Sequence, residues 1–338
     1  MIRESIAKVV AGGDLTEDEA AAVMRELMSE EATQPQAAAM LVALRMKGET
    51  VDEITGMVRV MRQKVLRVEV GGDVLDVVST GGGRFDPFNI STAASLVCAG
   101  AGVRVAKHGN RGFTSLSGAA EVMEALGARL ELTTEQIATC IEQTGFGFLF
   151  APSLHPAMSF VGSTRREIGV RTIFNSLGPL TNPAGAQFQL LGVSDAAMAG
   201  KVAAVLGRLG TGHALVVHSE DGLDEVSLGA PTTVREVRGN VAKTYTLTPE
   251  EAGLGRIALS EVKTGTKEEN AVRLRAVLAG TAGPDRDYTL VNAGAGLLAA
   301  NKVSSVKEGV EMAKQAVDSG AAARLLEAYV AATRSFED

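Results

Sequence analysis

The residues with the clearest chemistry follow an apolar run at positions 74–78, which predicts a buried strand. They are three glycines and three polar residues that suit a helix start, namely Gly81, Gly82, Gly83, Asn89, Ser91 and Thr92. Glycines let a backbone approach a ligand closely, and a helix N-terminus presents unpaired N–H groups to an anion. A flexible connection explains the glycines alone equally well, but Asn89 and Ser91 favour a phosphate-binding turn. The spacing matches neither the P-loop nor the dinucleotide fingerprint, which argues against nucleoside triphosphates and NAD.

A second set of polar residues follows a short apolar run at positions 103–106. This lysine turn reads Lys107-His108-Gly109-Asn110-Arg111, and it continues to Thr114, Ser115 and Ser117. Ligands of α/β proteins bind at the carboxyl ends of the parallel strands, so Lys107 is placed to pair with a phosphate oxygen. A solvated surface lysine is the alternative, but it gives no reason for the polar residues that follow.

The elements that must position these turns are of two kinds. The first 68 residues contain three capping-box spacings, each before an amphipathic run: Thr16 with Glu19, Thr33 with Gln36, and Thr50 with Glu53. Three helix starts in tandem predict a small helical bundle. The composition then shifts at residues 67–72, and apolar runs that indicate strands alternate with helical segments.

These strands are predicted at residues 74–78, 103–106, 147–150, 190–193 and 214–218, with a hairpin at 232–247 that turns at Gly239-Asn240. Alternation of strands and helices indicates a mostly parallel sheet. Residues 196–209 and most of 267–334 are predicted helices. We therefore expect an α/β protein in which a helical domain at 1–68 precedes a larger domain at 73–338, whose mostly parallel central sheet is flanked by helices.

Composition narrows the function classes. The 338 residues are 46% hydrophobic and 22% charged, and the formal net charge is −7, which argues against nucleic acid or an anionic membrane as the main partner. Two lone cysteines, Cys98 and Cys140, lie in apolar helical contexts and favour reduced thiols in a cytoplasmic protein. The N-terminal region lacks the apolar segment of a signal peptide, and no apolar run is long enough to span a bilayer.

Three sequence blocks together resemble a known family. They are Phe88-Asn89-Ile90-Ser91-Thr92, the lysine turn, and the run RTIFNSLGPLTNP at residues 171–183. They closely resemble the anthranilate phosphoribosyltransferases of tryptophan biosynthesis, and the resemblance extends over nearly the whole chain. It implies transfer of the phosphoribosyl group of phosphoribosyl pyrophosphate to the amine of anthranilate, with release of pyrophosphate. It also implies that a return segment near 168–185 completes the helical domain, which carries a homodimer interface.

The resemblance assigns roles to individual residues. Phosphoribosyl pyrophosphate is expected to contact Gly81, Gly82, Gly83, Asn89, Ile90, Ser91, Thr92, Lys107, Asn110, Thr114 and Ser115. Anthranilate is expected to contact Asn110, Arg165 and His108, and Mg²⁺ is expected at Ser91, Asp224 and Glu225. A guanidinium suits the anthranilate carboxylate because its planar fork donates two parallel hydrogen bonds. For His108, a structural hydrogen bond and acceptance of the amine proton both remain open. The reaction requires no covalent nucleophile.

The chain departs from the family pattern in the first loop. Ser79 stands for the usual Gly, Gly83-Arg84 for Asp-Gly, Pro87 for Thr, Ala119 for Ser, and Glu121 for Asp. One loop carboxylate is lost and a cation is gained. Our hypothesis is that Arg84 contributes charge to pyrophosphate and that Asp86 partly replaces the missing acid in organising the metal.

Three other function classes are compatible with parts of this pattern. A pyrimidine nucleoside phosphorylase also has a lysine-containing phosphate turn, but its acceptor pocket has no need of Arg165 with Asn110. A non-catalytic relative that binds nucleic acid predicts a basic surface stripe, which the net charge does not favour. A purely structural protein is not expected to retain so many polar residues at strand ends.

Overall fold

A computed structural model describes residues 1–29, 31–83, 85–112 and 116–336. Three residues that carry predictions, Arg84, Thr114 and Ser115, lie outside the described residues. Within the described ranges, no helix is both long enough and apolar enough to cross a membrane.

The chain begins with a group of four helices, α1 (Ile2–Val10), α2 (Glu17–Leu27), α3 (Gln34–Lys47) and α4 (Val51–Lys64). Each of the three predicted capping boxes is confirmed. The side chains of Thr16, Thr33 and Thr50 accept hydrogen bonds from the third helical N–H, and the reciprocal bonds are also present. Such caps stabilise a helix by about 1 kcal/mol each, so these helix starts are encoded locally.

The described residues of the larger domain form a seven-stranded sheet with the order β3-β2-β1-β4-β5-β6-β7. Its strands are β1 (Leu75–Ser79), β2 (Val105–Gly109), β3 (Phe146–Phe150), β4 (Phe188–Gly192), β5 (His213–Ser219), β6 (Thr232–Arg238) and β7 (Val241–Leu247). The first five strands in chain order are parallel, and β6 and β7 are antiparallel. The predicted fold class is confirmed, and so is the hairpin at Gly239-Asn240. β2 and β3 lie on one side of β1, and β4 and the later strands lie on the other side. The order of the strands therefore reverses beside β1, which is the switch point of the sheet.

Helices cover the sheet and complete the chain. They are α5 (Ile90–Gly100), α6 (Ala119–Ala125), α7 (Thr134–Thr144), α8 (Ala151–Leu154), α9 (Ser159–Ile168), α10 (Phe174–Leu177), α11 (Ala196–Arg208), α12 (Lys267–Leu278), α13 (Pro284–Ala299), α14 (Val306–Asp318) and α15 (Ala321–Arg334). Short 3₁₀ helices occur at Pro156–Met158, Gly178–Leu180 and Leu259–Val262.

Two apolar cores hold these elements together. One lies around β1, β2 and β3 with α5 and the C-terminal helices. The other joins α1 to α4 with α11, one face of β4 and β5, and the buried residues Ile173, Phe174, Leu177 and Leu180. Arg62 of α4 also donates from Nε to the carbonyl of Leu180 at 2.8 Å. The segment that carries Ile173 and Leu180 therefore packs with the helical bundle and not with the main sheet core.

The predicted end of the second strand is wrong. The sequence suggests that the strand stops at residue 106, but β2 runs to Gly109, so Lys107 and His108 are strand residues. Both side chains are buried. A buried strand tolerates them because each finds polar partners inside the protein, as described below.

Candidate active site

The glycine turn, residues 81–83, follows β1 directly. Gly81 and Gly82 have φ angles of +65° and +68°, which only glycine adopts without strain. The Gly81 N–H donates to Oδ2 of Asp224 at 2.9 Å. Its carbonyl accepts hydrogen bonds from Nη1 of Arg171 at 2.7 Å and from Oγ of Ser194 at 3.1 Å. Both sides of the Gly81 backbone are therefore held by residues from distant segments.

Lys107 lies beneath the N-terminus of α5. Its side chain is 2% exposed, so a solvated surface lysine is excluded. The ammonium donates to the carbonyl of Val77 at 2.7 Å and to Oγ of Ser91 at 3.4 Å. Burial lowers the pKa of Lys107 to about 8, although the nearby carboxylates of Asp76 and Glu225 oppose this shift. Lys107 thus places a positive charge next to the hydroxyl of Ser91.

Two adjacent acids in the loop after β5, Asp224 and Glu225, contact the glycine turn and the N-terminus of α5. Oε1 of Glu225 accepts a hydrogen bond from the Ser91 N–H at 3.0 Å. Oε2 of Glu225 is buried and has no hydrogen-bond partner among the described residues. Burial and the neighbouring Asp224 raise the pKa of Glu225 to about 8, and burial raises the pKa of Asp224. A buried carboxylate oxygen without a partner is costly unless a further group binds it.

These residues fit a divalent cation. Glu225 Oε2, the Asp224 carboxylate and the Ser91 hydroxyl are hard oxygen ligands, which Mg²⁺ prefers. No group of three or more His, Cys, Asp or Glu suitable for a metal occurs in the described ranges. The two carboxylates of Asp224 and Glu225 are compatible with the usual Mg²⁺ site, in which one or two carboxylates hold the ion and substrate phosphates complete its coordination.

His108 forms a buried pair with His155. Nδ1 of His108 lies 3.2 Å from the carbonyl of Gly178, and its Nε2 lies 3.2 Å from Nε2 of His155. A carbonyl only accepts, so Nδ1 of His108 carries the proton and its Nε2 accepts from His155. Nδ1 of His155 is then an acceptor, and it has no partner in the described part of the chain. Burial lowers the pKa of His108 to about 3 and that of His155 to about 4, so both rings are neutral at pH 7.

Arg165 projects from α9 near the return segment. Its guanidinium lies 5.1 Å from the centre of the Phe174 ring, and burial lowers its pKa. No described residue forms a hydrogen bond or ion pair with Arg165. A half-buried cation that stacks on an aromatic ring and has no anionic partner can bind a carboxylate from a ligand. Its neighbour Arg166 is exposed.

The other predicted ligand residues have mixed environments. The side chain of Asn89 is occupied, because its Nδ2 donates to the Ser117 carbonyl at 3.1 Å and its Oδ1 accepts from Asn270 at 3.0 Å. Helix α5 begins at Ile90, and Asn89 therefore precedes it without capping it. Ile90 and Thr92 are fully buried. Asn110 is exposed, and its Oδ1 accepts from the N–H of Arg111 at 2.7 Å.

Asp86 and Glu121 make hydrogen bonds with the loops around the site. Oδ2 of Asp86 accepts a hydrogen bond from the Leu116 N–H at 3.2 Å, and burial raises the pKa of Asp86. Both carboxylate oxygens of Glu121 lie 3.2 Å from the Gly112 N–H. These acids shape the loop after β2, and Asp86 ties that loop to the loop after β1.

The structure joins part of the predicted set into a network of two hydrogen-bonded groups, which are linked because Asp224 and Glu225 are neighbours in the chain. Gly81 contacts Asp224, and Ser91 contacts both Glu225 and Lys107. No hydrogen bond connects Arg165 or Asn110 with this network among the described residues.

Sequence reasoning missed two supporting residues. Asp76 is fully buried in β1, where its carboxylate accepts from the His108 N–H and from Nδ2 of Asn182. The sequence did indicate Asp76, because an acid within an apolar strand needs polar partners inside the protein. Arg171, which holds the glycine turn, had no signal beyond its place in a family block.

Comparisons with known proteins identify the family of the chain. Residues 3–65 match the helical bundle domain of a glycosyl transferase family, and residues 71–323 match its α/β domain. An anthranilate phosphoribosyltransferase of Symbiobacterium thermophilum is 54% identical over 321 residues, covering 95% of this chain and 94% of the relative. The crystal structure of the Thermus thermophilus enzyme has a TM-score of 0.91 and 46% identity, with 98% and 99% of the two chains covered.

The Saccharomyces cerevisiae anthranilate phosphoribosyltransferase is a more distant neighbour, and some of its structures contain ligands. In complex with phosphoribosyl pyrophosphate and Mg, it has a TM-score of 0.91 and 27% identity, with 99% of this chain and 98% of that chain covered. In complex with 4-fluoroanthranilate, the TM-score is 0.89 at 26% identity, with the same coverage.

Proposed function

The chain belongs to the anthranilate phosphoribosyltransferase family, and on that premise we propose that it transfers the phosphoribosyl group of phosphoribosyl pyrophosphate to the amine of anthranilate. The products are N-(5-phosphoribosyl)-anthranilate and pyrophosphate. The observation that carries this proposal is the network of the glycine turn, Ser91, Lys107, Asp224 and Glu225. At the switch point of the sheet, it combines backbone donors, a buried cation and a carboxylate oxygen that has no partner among the described residues.

The donor side must neutralise a pyrophosphate leaving group. We assign this task to the glycine turn and to Lys107, whose charge lies under Ser91 in a site with little access to water. Ser91, Asp224 and Glu225 would hold Mg²⁺, which supplies charge to the leaving pyrophosphate when it is bound. The remaining predicted donor contacts are Asn89, Ile90, Thr92, Asn110, Thr114 and Ser115. Because Ile90 and Thr92 are buried and the Asn89 side chain is occupied, we assign these three a backbone or structural contribution.

The acceptor side must orient a weak aromatic amine in line with the anomeric carbon. We propose that Arg165 binds the anthranilate carboxylate and that Asn110 and His108 border the aromatic ring. Because Nε2 of His108 already accepts a hydrogen bond from His155 and its pKa is low, we favour a positioning role for His108 over proton acceptance. We propose that the amine attacks the anomeric carbon with inversion and without a covalent intermediate, as the family membership implies.

We propose the domain division as 1–68 for the helical domain and 73–338 for the catalytic domain, with the segment near 168–185 completing the former. Shared packing of Ile173 and Leu180 with α1 to α4 supports this division. We also propose a homodimer through the helical domain, which sedimentation velocity would test. A cytoplasmic location is proposed on the basis of the two buried free thiols, Cys98 and Cys140.

The decisive experiment follows the fluorescence of anthranilate with the purified protein, phosphoribosyl pyrophosphate and Mg²⁺. We expect the fluorescence to fall only when all components are present. Phosphorolysis of thymidine or uridine without transfer to anthranilate would instead show a nucleoside phosphorylase. Calorimetry with phosphoribosyl pyrophosphate and Mg²⁺ is an independent test, and absence of binding to folded protein would contradict the proposal.

A further inference from the structure

Arg171 follows α9 and packs directly against the glycine turn. Its Nη1 donates to the Gly81 carbonyl at 2.7 Å, and its Nη2 lies 3.4 Å from Oγ of Ser194. A Cβ atom added to Gly82 would lie only 1.3 Å from Nη1 of Arg171. The guanidinium therefore occupies the space that any side chain at position 82 would need.

This contact determines the direction of a neighbouring N–H group. The Gly81 carbonyl and the Gly82 N–H belong to one planar trans peptide, in which they point in opposite directions. Because Arg171 and Ser194 hold the carbonyl, the Gly82 N–H must point to the other side of the turn. Among the described residues, the N–H groups of Gly82 and Gly83 have no acceptor, so both remain available to an anion.

Without such a restraint, the peptide could rotate. Glycine has access to both signs of φ, so a turn of three glycines has several backbone conformations of similar energy. Rotation of the Gly81–Gly82 peptide by half a turn would present the carbonyl oxygen, instead of the N–H, to a phosphate. An oxygen in that position repels an anion, and the turn would lose a donor at the same time.

We propose that Arg171 is a positioning residue that fixes the Gly81–Gly82 peptide in the orientation that binds the pyrophosphate of the donor. This inference rests on the proposed function, in which the glycine turn binds that group. Arg171 acts through the peptide, and its charged donor group gives the bond to Gly81 more strength than a neutral partner would. Ser194 is the second donor to the same oxygen.

The first test compares Arg171→Met and Arg171→Lys with Arg166→Met, which alters an exposed arginine nearby. We expect Arg171→Met to raise the KM for phosphoribosyl pyrophosphate and the Kd for inorganic pyrophosphate with Mg²⁺ by about 10- to 100-fold. The KM for anthranilate should change less than about twofold, because Arg165 is retained. Arg171→Lys should recover part of the affinity, since its ammonium can still donate to Gly81. Arg166→Met should behave as the wild type.

The second test examines the contact between Arg171 and Gly82. Gly82→Ala should weaken pyrophosphate binding strongly in the wild type for two reasons: its Cβ displaces the guanidinium, and alanine is strained at a φ of +68°. Only the strain remains in Arg171→Ala, so the two substitutions should be less than additive. Thermal unfolding checks that each variant is folded. Unchanged donor affinity in Arg171→Met, an equal rise in both KM values, or additive effects of the two substitutions would overturn the inference. A wild type without transferase activity would instead contradict the proposed function itself.

Discussion

Oε1 of Glu225 accepts a hydrogen bond from the backbone N–H of Ser91 at 3.0 Å, across 134 residues of sequence. This bond anchors the loop after β5 to the first turn of α5, where a partial positive charge favours a carboxylate. The second oxygen of Glu225 is buried without a partner in the described ranges. Glu225 thus anchors the loop after β5 with one oxygen and leaves the other as a ligand atom for a cation.

Glu225→Gln is expected to raise the Mg²⁺ concentration for half-maximal rate by at least about tenfold, because a neutral amide is a weaker magnesium ligand than a carboxylate. Titration of the initial rate with Mg²⁺ at saturating substrates measures this shift. Glu220→Gln, which alters an exposed acid of the same region, is the matched control. An unchanged magnesium requirement in Glu225→Gln would remove Glu225 from the metal site.

Arg165→Ala is expected to raise the KM for anthranilate by about 10- to 100-fold and to affect the KM for the donor much less, because it removes a charged hydrogen-bond donor to a carboxylate. Initial rates with each substrate varied in turn separate the two constants. Arg166→Ala serves as the control. A larger effect on the donor would show that the acceptor pocket lies elsewhere.

Lys107→Ala should have the opposite pattern, with damage mainly to use of phosphoribosyl pyrophosphate. Its ammonium is the cation that reaches Ser91, and its removal also leaves the Val77 carbonyl without this partner. Lys107→Met fills more of the space and distinguishes loss of charge from loss of packing. If Lys107→Met retained the wild-type donor KM, the charge of Lys107 would have no part in donor binding.

The His108–His155 pair predicts loss of stability in acid. Both folded pKa values, about 3 and about 4, lie below the ordinary value of 6.5. At a pH between the folded and the ordinary pKa of each histidine, the unfolded chain binds more protons than the folded protein. The free energy of unfolding therefore falls as the pH decreases below about 6.5, by up to ~1.4 kcal/mol per pH unit for each histidine. Above that pH the contribution of the pair is fully present.

His155→Gln tests this assignment, because it removes one titrating ring while its amide can still donate to His108. Urea unfolding at about pH 7 and about pH 5 should show a smaller loss of stability in the variant than in the wild type. Equal losses would mean that His155 is protonated equally readily in the folded and unfolded states.

Arg84→Ala addresses the altered first loop. If Arg84 contributes charge to pyrophosphate, the variant should need more donor and show a changed dependence of the rate on Mg²⁺. The measurement is the donor KM at several magnesium concentrations in the variant and the wild type. Indistinguishable affinity on the pyrophosphate side would place Arg84 outside the site.

Local patterns in the sequence predicted much of the fold. The capping boxes at Thr16, Thr33 and Thr50 depend on contacts three residues apart, so sequence spacing alone identifies them. The hairpin at Gly239-Asn240 is equally local, since its tight turn needs a residue that tolerates positive φ, and Gly239 has a φ of +56°. The end of β2 was missed because strand length depends on partners across the sheet.

By itself, the sequence determined the helical bundle, the α/β alternation and the family blocks. Periodicity, caps and motifs depend only on residues that are close together in the chain. Only the tertiary structure decided that Lys107 is buried beneath Ser91, that Glu225 binds the start of α5, and that Arg171 holds the Gly81 carbonyl. These contacts join segments far apart in the chain. They exist because the sheet and the two cores bring those segments together, and burial then sets the charge and partners of each group.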